Sequence, residues 1–339
     1  MPLHYPVGKL PTKDLERILQ RYASRPDPRL LVGPGIGRDA AVISFGSTVL
    51  VTKTDPITFA TDNIGWYAVN INANDVSAMG AIPKWFLTTI LLPEGKTTPK
   101  LVENIFSGLS KACEELNITL CGGHTEITHG LDRPLLVGQM LGETTKDRYV
   151  CGTDAKVGDR ILITKGIAIE ATVLIAMEKR TEIKAHFSEI FLEKCYKYFE
   201  EPGLSVIKDA RIAMETGGVH AMHDPTEGGI ASGLHEIAIA ANVGMLIEDD
   251  MIPIFPESKA LCSFYKLDPL GVIASGALLL FVEPNYSERV TKNLRQAGIF
   301  TADIGCVKES DFGIRINRKG SLIDLPVFAR DEIGKIFEA

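Results

Sequence analysis

The chain has 339 residues, 45% of them hydrophobic and 23% charged, which is the composition of a globular protein long enough for two domains. Its formal net charge of -7, without a basic block or stripe, argues against a nucleic-acid binder. Six scattered cysteines without a C-x-x-C pair argue against a disulfide framework or a typical zinc site, so we expect reduced thiols.

The first predicted elements lead to a glycine-rich segment. The N-terminus lacks a signal-peptide pattern and no apolar run is long enough to cross a membrane, so we expect a cytoplasmic protein without membrane contact. A helix is predicted from Lys13 to about Ala23, capped by Thr12. The glycine loop, residues 33–39, follows and delivers Asp39 to the start of a strand. Glycines let a backbone approach a phosphate held through a divalent cation, although an ordinary turn with a solvated aspartate is the alternative.

A predicted hairpin and a polar helix come next. Strands near residues 41–45 and 49–53 form the hairpin. The second strand leads into Thr54-Asp55-Pro56, which places Asp55 at the strand end because proline at position 56 stops the ladder. The helix over residues 65–80 carries several asparagines, and Asn72 and Asp75 share one of its faces. A solvated face is the alternative, but the apolar residues between them leave little room for one.

The first half ends with a second polar segment. We predict a strand over residues 85–92, a helix over 98–116, a strand over 118–121 and a last strand over 134–142. Gly122-Gly123-His124-Thr125-Glu126 follows the strand at 118–121 and is typical of a site at a strand end. A structural histidine is the alternative for His124.

The second half begins after a polar stretch at residues 144–156, which divides the chain into domains 1–150 and 151–339. Strands and helices then alternate, with strands over 161–164, 219–223, 274–282 and 301–307, so this domain is α/β or α+β. The strand at 219–223 leads into Asp224–Gly229. There Asp224 or Thr226 is predicted to cap a helix reaching Ala241, with free amides that suit an anion.

The polar clusters at element ends favour one kind of chemistry. Carboxylate and amide oxygens suit magnesium and the phosphates it carries. The glycine loop enters a strand, whereas dinucleotide and Walker loops open a helix, which argues against a Rossmann fold. Without a nucleophile elbow, the pattern favours phosphoryl transfer by positioning and charge neutralisation. The clusters are Asp39, Asp55, Asn72 with Asp75, and His124 with Glu126.

Five motifs in this order resemble one known superfamily. They are Gly35–Val42, Thr54–Pro56, Asn74–Ala81, Gly122–Glu126 and Asp224–Gly229. They resemble the ATP-dependent superfamily of aminoimidazole ribonucleotide synthetase (PurM), the hydrogenase-maturation dehydratase HypE, selenophosphate synthetase and thiamine-phosphate kinase. The third and fifth motifs are most similar to the HypE branch, and the resemblance covers nearly the whole chain.

The resemblance implies a two-domain PurM-like fold of the α+β and α/β classes. Its N-terminal domain, residues 1–150, would contribute strands to a β-barrel shared with a second subunit in a homodimer, and residues 151–339 would form a C-terminal α/β domain. ATP would lie in a cleft between the domains, with an unidentified small molecule or a group on a partner protein as the second substrate.

The same resemblance implies roles for individual residues. Asp39, Asp55 and Asp75 would hold Mg²⁺ and the ATP phosphates, and Asp55, Asp75 and His124 would be catalytic. The further residues implied in nucleotide binding are Lys9, Gly35, Gly37, Asn72, Gly122, Gly123, Thr125, Glu126, Asp224, Thr226 and Gly228.

Two departures from the resemblance leave three functional interpretations open. The dehydratase branch ends in a cysteine that carries a thiocarboxamide, whereas the last cysteine here is Cys306, so we expect no self-modification of a C-terminal thiol. Arg38 and His124 replace acids of many relatives, so we expect fewer cations or another metal geometry. The leading interpretation is an ATP- and Mg²⁺-dependent enzyme that phosphorylates an amide, thiocarboxamide or carbonyl oxygen and then expels phosphate. The alternatives are a small-molecule kinase similar to thiamine-phosphate kinase and a catalytically silent nucleotide-binding regulator.

Overall fold

A computed structural model describes residues 4–5, 8–23, 25–57 and 63–337. They group into two compact units. The N-terminal unit comprises Asp27–Gly33 and Asp39–Tyr149, and the C-terminal unit comprises Pro34–Arg38, Val150–Ala339 and Met1–Pro26 as far as these are described. Because a grouping by contacts does not define independently folding domains, the domains 1–150 and 151–339 stay a prediction.

Helices and strands alternate along most of the chain. The helices are α1 (Thr12–Tyr22), α2 (Ile64–Ala78), α3 (Pro99–Glu115), α4 (Ile169–Glu178), α5 (Arg180–His186), α6 (Glu189–Lys197), α7 (Ile207–Thr216), α8 (Gly229–Ala241), α9 (Pro256–Phe264), α10 (Pro284–Gln296) and α11 (Gly334–Phe337). The strands are β1 (Leu30–Val32), β2 (Ala41–Phe45), β3 (Thr48–Ile57), β4 (Ile82–Pro93), β5 (Thr119–Thr128), β6 (Leu135–Thr145), β7 (Arg160–Thr164), β8 (Val219–His223), β9 (Gly244–Glu248), β10 (Leu279–Val282), β11 (Thr301–Lys308), β12 (Ile314–Arg318) and β13 (Ser321–Asp324). Within the described ranges, none of the helices combines the length and the apolar character needed to cross a membrane.

The N-terminal unit is a six-stranded sheet in the order β1-β2-β3-β6-β4-β5. All neighbouring strands run antiparallel except β4 and β5, and the predicted hairpin is confirmed as β2 and β3. Helix α2 packs against β3, β4 and β6, and α3 packs against α2. The sheet is open, and no closed barrel is formed by the strands that the structure describes.

Helix α2 lies in the core of this unit instead of at its surface. Every residue from Tyr67 to Ala78 is buried, so the alternative of a solvated face is wrong. The amide groups of its asparagines bond back along the helix, from Asn70 Nδ2 to the Trp66 carbonyl at 3.1 Å and from Asn72 Nδ2 to the Ala68 carbonyl at 2.9 Å. These bonds satisfy donors that would otherwise be costly to bury.

Glycine at position 138 allows α2 to lie close to the sheet. A Cβ added to Gly138 on β6 would contact Asn72 Nδ2 and would lie 2.9 Å from both Asn72 Cγ and Phe86 Cε2. A larger residue would therefore push Asn72 away from the sheet.

Two predicted strand ends are wrong. Strand β3 continues through Asp55 and Pro56, and Pro56 pairs with Val137 of β6. On the edge facing β2, β3 is paired only from Thr48 to Thr52 among the described residues. Pro56 lies beyond that pairing, so its missing N–H breaks no hydrogen bond with β2. Strand β5 likewise continues through Gly122–Glu126 to Thr128, held by its pairing with β4.

The C-terminal unit is a seven-stranded sheet in the order β13-β12-β9-β11-β7-β10-β8. Only the β9–β12 pair among these runs parallel, so α+β is the class that applies of the two left open. One hydrophobic cluster joins sheet residues such as Ile163 and Phe281 to Leu234 of α8. The strand predicted over residues 274–282 is shorter than expected, because a turn precedes β10 and the strand begins at Leu279.

Candidate functional site

The candidate site begins on strand β3, where every second residue faces α2. Val49 and Val51 are fully buried on that face. Lys53 and Asp55 continue the same alternation, so both side chains belong to the face that α2 covers. A lysine and an aspartate on a face that a helix covers are costly to bury unless their charges have partners.

Helix α2 supplies those partners. Lys53 Nζ lies 2.9 Å from Asp75 Oδ1, with side chains that are 24% and 7% exposed. Asn72 Nδ2 donates to the Asp55 carbonyl at 3.3 Å. The structure therefore places Asn72 beside the backbone of Asp55, and it places Lys53, which the sequence analysis missed, beside the carboxylate of Asp75. The available signal was the i, i+2 spacing of Lys53 and Asp55 within a strand.

The charges of this group are strongly coupled. Burial is the largest effect on Lys53 and lowers its pKa, but attraction by Asp75, Asp55 and Asp39 outweighs it and leaves the pKa above its ordinary value. Burial raises the pKa of Asp75, as do the nearby Asp55 and Asp39, while Lys53 opposes this shift. We call Lys53, Asp39, Asp55 and Asp75 the acid–lysine cluster.

The donor set of the cluster fits a small divalent cation. Asp75 Oδ2 and Asn72 Oδ1 are buried and have no hydrogen-bond partner among the described residues. Buried oxygens of this kind are costly unless a donor or a cation completes them. Carboxylate and amide oxygens are ligands that Mg²⁺ prefers, so the residues present fit that ion.

The polar side chains of β5 lie elsewhere in the N-terminal unit. His124 Nε2 is 3.0 Å from Glu126 Oε2, and the two side chains are 64% and 48% exposed. His124 pairs with Thr89 of β4, and Glu126 pairs with Leu91. Thr89 and Leu91 alternate along β4 with buried residues such as Ile90, whose side chains face α2. The register therefore puts His124 and Glu126 on the sheet face opposite the acid–lysine cluster.

Sheet register also separates Gly123 from Asp55. Asp55 pairs with Gly138, Gly138 with Thr88, and Thr88 with Gly123, so three strand spacings lie between Asp55 and Gly123. At the usual spacing, this is roughly 14 Å. Within this unit, the structure does not bring Gly122–Glu126 into contact with the cluster, and the nucleotide contacts implied for these residues, including Thr125, stay predictions.

The backbone conformation of β5 explains why two glycines occur in this strand. Gly122 and Gly123 have φ values of +142° and +147°, and a Cβ on Gly123 would contact the Thr88 carbonyl oxygen. Only glycine fits this backbone. The pair also coincides with a shift in the β4–β5 register.

Gly37 of the glycine loop packs closely against α8 within the C-terminal unit. Gly37 has a φ of +65°, and a Cβ there would lie 2.8 Å from both Ala240 Cβ and the Glu236 carbonyl oxygen of α8. A Cβ on Gly35 would lie 2.9 Å from Nε of Arg38. The contacts of Gly37 with α8 account for glycine at that position without a ligand, whereas the flexible Arg38 side chain can move away from a Cβ at position 35. The phosphate contacts implied for Gly35 and Gly37 stay predictions.

Lys9 also has a protein partner. Its Nζ lies 3.7 Å from Glu236 Oε1, and Glu236 Oε2 lies 3.3 Å from Nε2 of the buried His223. His223 ends β8 and precedes Asp224, so the sequence analysis stopped one residue short of it. The nucleotide contact implied for Lys9 stays a prediction.

The turn from β8 to α8 differs from the predicted cap. Gly228 is the N-cap of α8 with a φ of +81°, and no side chain caps the helix at that residue, so capping by Asp224 or Thr226 is wrong. Asp224 is buried and Thr226 is partly buried. The left-handed backbone at Gly228 turns the chain where a side-chain cap was expected.

The amides at the start of α8 are also engaged. The Gly228 amide donates to Asp331 Oδ2 at 2.7 Å, and the Gly229 amide donates to the Thr226 carbonyl at 3.1 Å. Asp331 therefore supplies the negative charge that was expected from a bound anion. The nucleotide roles implied for Asp224, Thr226 and Gly228 stay predictions.

Comparison with known families and proteins gives consistent matches. Residues 37–144 match the AIR synthase related protein, N-terminal domain, and residues 156–317 match the AIR synthase related protein, C-terminal domain. Carbamoyl dehydratase HypE of Bradyrhizobium diazoefficiens is 28% identical over 279 residues, 79% of this chain and 77% of that protein. Thiamine-monophosphate kinase of Pyrococcus horikoshii is 25% identical over 309 residues, 88% of this chain and 91% of that protein.

Solved structures with the same fold include HypE in two complexes. HypE in the HypE–HypF complex superposes with a TM-score of 0.75 at 23% identity, covering 93% of this chain and 99% of that one. HypE in complex with ATP superposes with a TM-score of 0.71 at 23% identity, covering 94% of this chain and 96% of that one. At this identity, the likeness concerns the fold.

Proposed function

The chain belongs to the AIR synthase related family, and from this membership we propose that it is an ATP- and Mg²⁺-dependent enzyme. It activates an amide, thiocarboxamide or carbonyl oxygen by phosphorylation, in the maturation of a protein or a cofactor. The observation that carries this proposal is that two buried oxygens, Asp75 Oδ2 in the acid–lysine cluster and Asn72 Oδ1 beside it, lack a partner among the described residues.

Mg²⁺ would be held by Asp39, Asp55 and Asp75, with Asn72 beside them. When bound, this ion neutralises phosphate charge and so favours transfer of the terminal phosphoryl group. Asn72 is fixed by its bonds to the carbonyls of Ala68 and Asp55. Rigid ligands that need no rearrangement give such a site its electrostatic effect.

The relatives support the choice of nucleotide and reaction. The HypE structure with ATP has the same fold, and HypE is named a carbamoyl dehydratase. Dehydration of an amide requires that its oxygen become a leaving group, which phosphorylation achieves. The HypE–HypF complex further supports a group on a partner protein as the second substrate.

A small-molecule kinase is the second candidate, because the thiamine-monophosphate kinase matches 88% of this chain. The two candidates differ in the fate of the phosphoryl group. With ATP labelled in its γ-phosphate, release of labelled inorganic phosphate would favour the dehydratase type. Label retained on a small molecule would favour the kinase.

The metal role of Asp55 tests the proposal. Asp55→Asn preserves the size of the side chain and removes one charge, so we expect Mg²⁺-dependent ATP turnover to fall by about 100-fold or more. The measurement is phosphate release against Mg²⁺ concentration. Asp132→Asn, at an exposed position of the same unit, is the matched control and should keep wild-type turnover. Unchanged turnover in Asp55→Asn would contradict the assignment.

We also propose a homodimer that buries the open face, meaning the face of the N-terminal sheet opposite α2. This face carries partly exposed apolar residues on adjacent strands. They include Leu50, Trp85, Leu87, Leu91, Val137 and Leu141. An apolar sheet face of this extent is typical of a protein interface, and a second copy closing over it would complete the shared β-barrel.

A further inference from the structure

Lys53 is a cation embedded among the acids that would bind metal. Its Nζ lies 2.9 Å from Asp75 Oδ1, and Asp55 and Asp39 also attract its charge. Lys53 and Asp55 stand two residues apart on β3, so the strand itself delivers the ammonium and a carboxylate to one place. A lysine held here changes the charge that the acids present to any other ion.

A charge count shows how large this effect is. When ionised, the three carboxylates carry three negative charges, and Lys53 neutralises one of them. The remaining charge matches one divalent cation. Without Lys53, all three charges would be available, and sites of this kind tune their affinity for divalent ions through the number of charged ligands.

On the basis of the proposed function, we propose that the ammonium group of Lys53 serves as a permanent cation within the acid–lysine cluster. This ammonium occupies the position at Asp75 that a second divalent ion would otherwise take. The chain therefore limits its metal content with a residue of β3.

Counting Mn²⁺ ions in the absence of nucleotide tests this inference. The free Mn²⁺ signal in electron paramagnetic resonance gives the number bound per chain for wild type, Lys53→Met and Lys96→Met. Lys96 is the matched control, since it pairs with Asp132 at 3.4 Å on the surface of the same unit. We expect Lys53→Met to bind roughly one Mn²⁺ more than wild type, and Lys96→Met to bind the same number as wild type.

Two further variants keep the test decisive. Lys53→Gln retains an N–H donor for Asp75 and removes only the charge, so it replaces Lys53→Met if that variant does not fold. Lys53→Arg retains the charge and should keep the wild-type number of Mn²⁺ ions. Stability provides a second measurement, because Mn²⁺ should raise the melting temperature of Lys53→Met more than that of Lys96→Met.

The outcomes separate this inference from the proposed function. Equal Mn²⁺ binding by wild type and Lys53→Met would overturn the role of Lys53 and leave a metal-dependent enzyme in place. Binding by Lys53→Met alone would support Lys53 as the resident cation. Binding by neither protein would overturn the role of Lys53, whereas the proposed function is tested separately by Mg²⁺-dependent phosphate release from ATP.

Discussion

Glu170 shows how one buried residue couples this fold to pH. It lies in the first turn of α4, is 6% exposed, and its Oε2 has no hydrogen-bond partner among the described residues. Burial raises its pKa to about 7, assisted by the charges of Asp331 and Glu227 and opposed by a hydrogen bond with Ser275. Glu170 is therefore an acid whose protonated form persists well above its ordinary pKa in the folded chain, so that both of its forms are populated near neutral pH.

We predict that Glu170→Gln becomes more stable relative to wild type as the pH rises. An acid with a higher pKa in the folded chain than in the unfolded chain supports folding fully below its ordinary pKa of 4.5 and loses that contribution as the pH rises through about 7. Between pH 4.5 and about pH 7, the difference in free energy of unfolding between the variant and wild type should shift in favour of the variant by about 3 kcal/mol.

Urea unfolding at pH 5 and pH 8 measures this difference. Glu193→Gln is the control, because Glu193 is exposed on α6 and its substitution should change stability equally at both pH values. A difference between Glu170→Gln and wild type that is the same at pH 5 and pH 8 would refute the prediction.

At the residue scale, the sequence predicts acids better than their partners. Asp55, Asn72 and Asp75 are identifiable because polar residues stand out among apolar neighbours. Lys53 is not, since lysine is common on strand surfaces and only the position of α2 shows that it is covered. Conversely, Gly35 and Gly37 suggest a ligand, whereas their close contacts are with side chains and backbone of the same unit.

At the element scale, the contact between α2 and β6 depends on Gly138. We predict that Gly138→Ala lowers the free energy of unfolding by about 1–3 kcal/mol, because the added methyl group displaces Asn72. Mn²⁺ binding should weaken as well, since Asn72 would lose its bonds to the carbonyls of Ala68 and Asp55.

Gly108→Ala is the matched control for this substitution. A Cβ on Gly108 of α3 would have ordinary contacts, the nearest at 3.5 Å, so alanine should keep or slightly raise stability. Chemical denaturation and Mn²⁺ titration measure both effects. A Gly138→Ala protein as stable as wild type, with the same affinity for Mn²⁺, would show that α2 does not depend on this close approach.

Element types follow from the sequence more reliably than element ends. Helix α2 is confirmed within one or two residues of its predicted bounds, and the glycine loop is confirmed to lead into a strand. Strand ends at Asp55 and at Gly122 are wrong because Pro56 and two glycines are usually strand breakers, and pairing with β6 and β4 overrides that local preference. Only the sheet reveals that His124 lies on the opposite face.

At the scale of the whole molecule, the open face predicts the oligomeric state. Leu87 is partly exposed in the middle of that face, so Leu87→Glu would place a charge in the proposed interface, where it cannot be solvated. We expect sedimentation velocity at micromolar concentration to show a dimer for wild type and a monomer for Leu87→Glu. Lys100→Glu, on the exposed surface of α3, should remain a dimer. A monomeric wild type would refute the proposal.

The order of motifs along the chain predicts the family better than any one motif does. Each motif alone is compatible with an ordinary turn, but five in sequence point to the family that the matches over residues 37–144 and 156–317 confirm. The late strands β9, β12 and β13 escape prediction because they are short and gain their stability from pairing. The second substrate is not predictable in the same way, since one fold serves several reactions.

The bond from the Gly228 amide to Asp331 also has a consequence for biosynthesis. The two residues are 103 positions apart, so the start of α8 is made long before its partner acid exists. At about 5–20 residues per second, a ribosome needs roughly 5–20 s to cover that interval. During this time the amide must be satisfied by water. The β8–α8 turn therefore reaches its final hydrogen bonding only after almost the entire described chain has been translated.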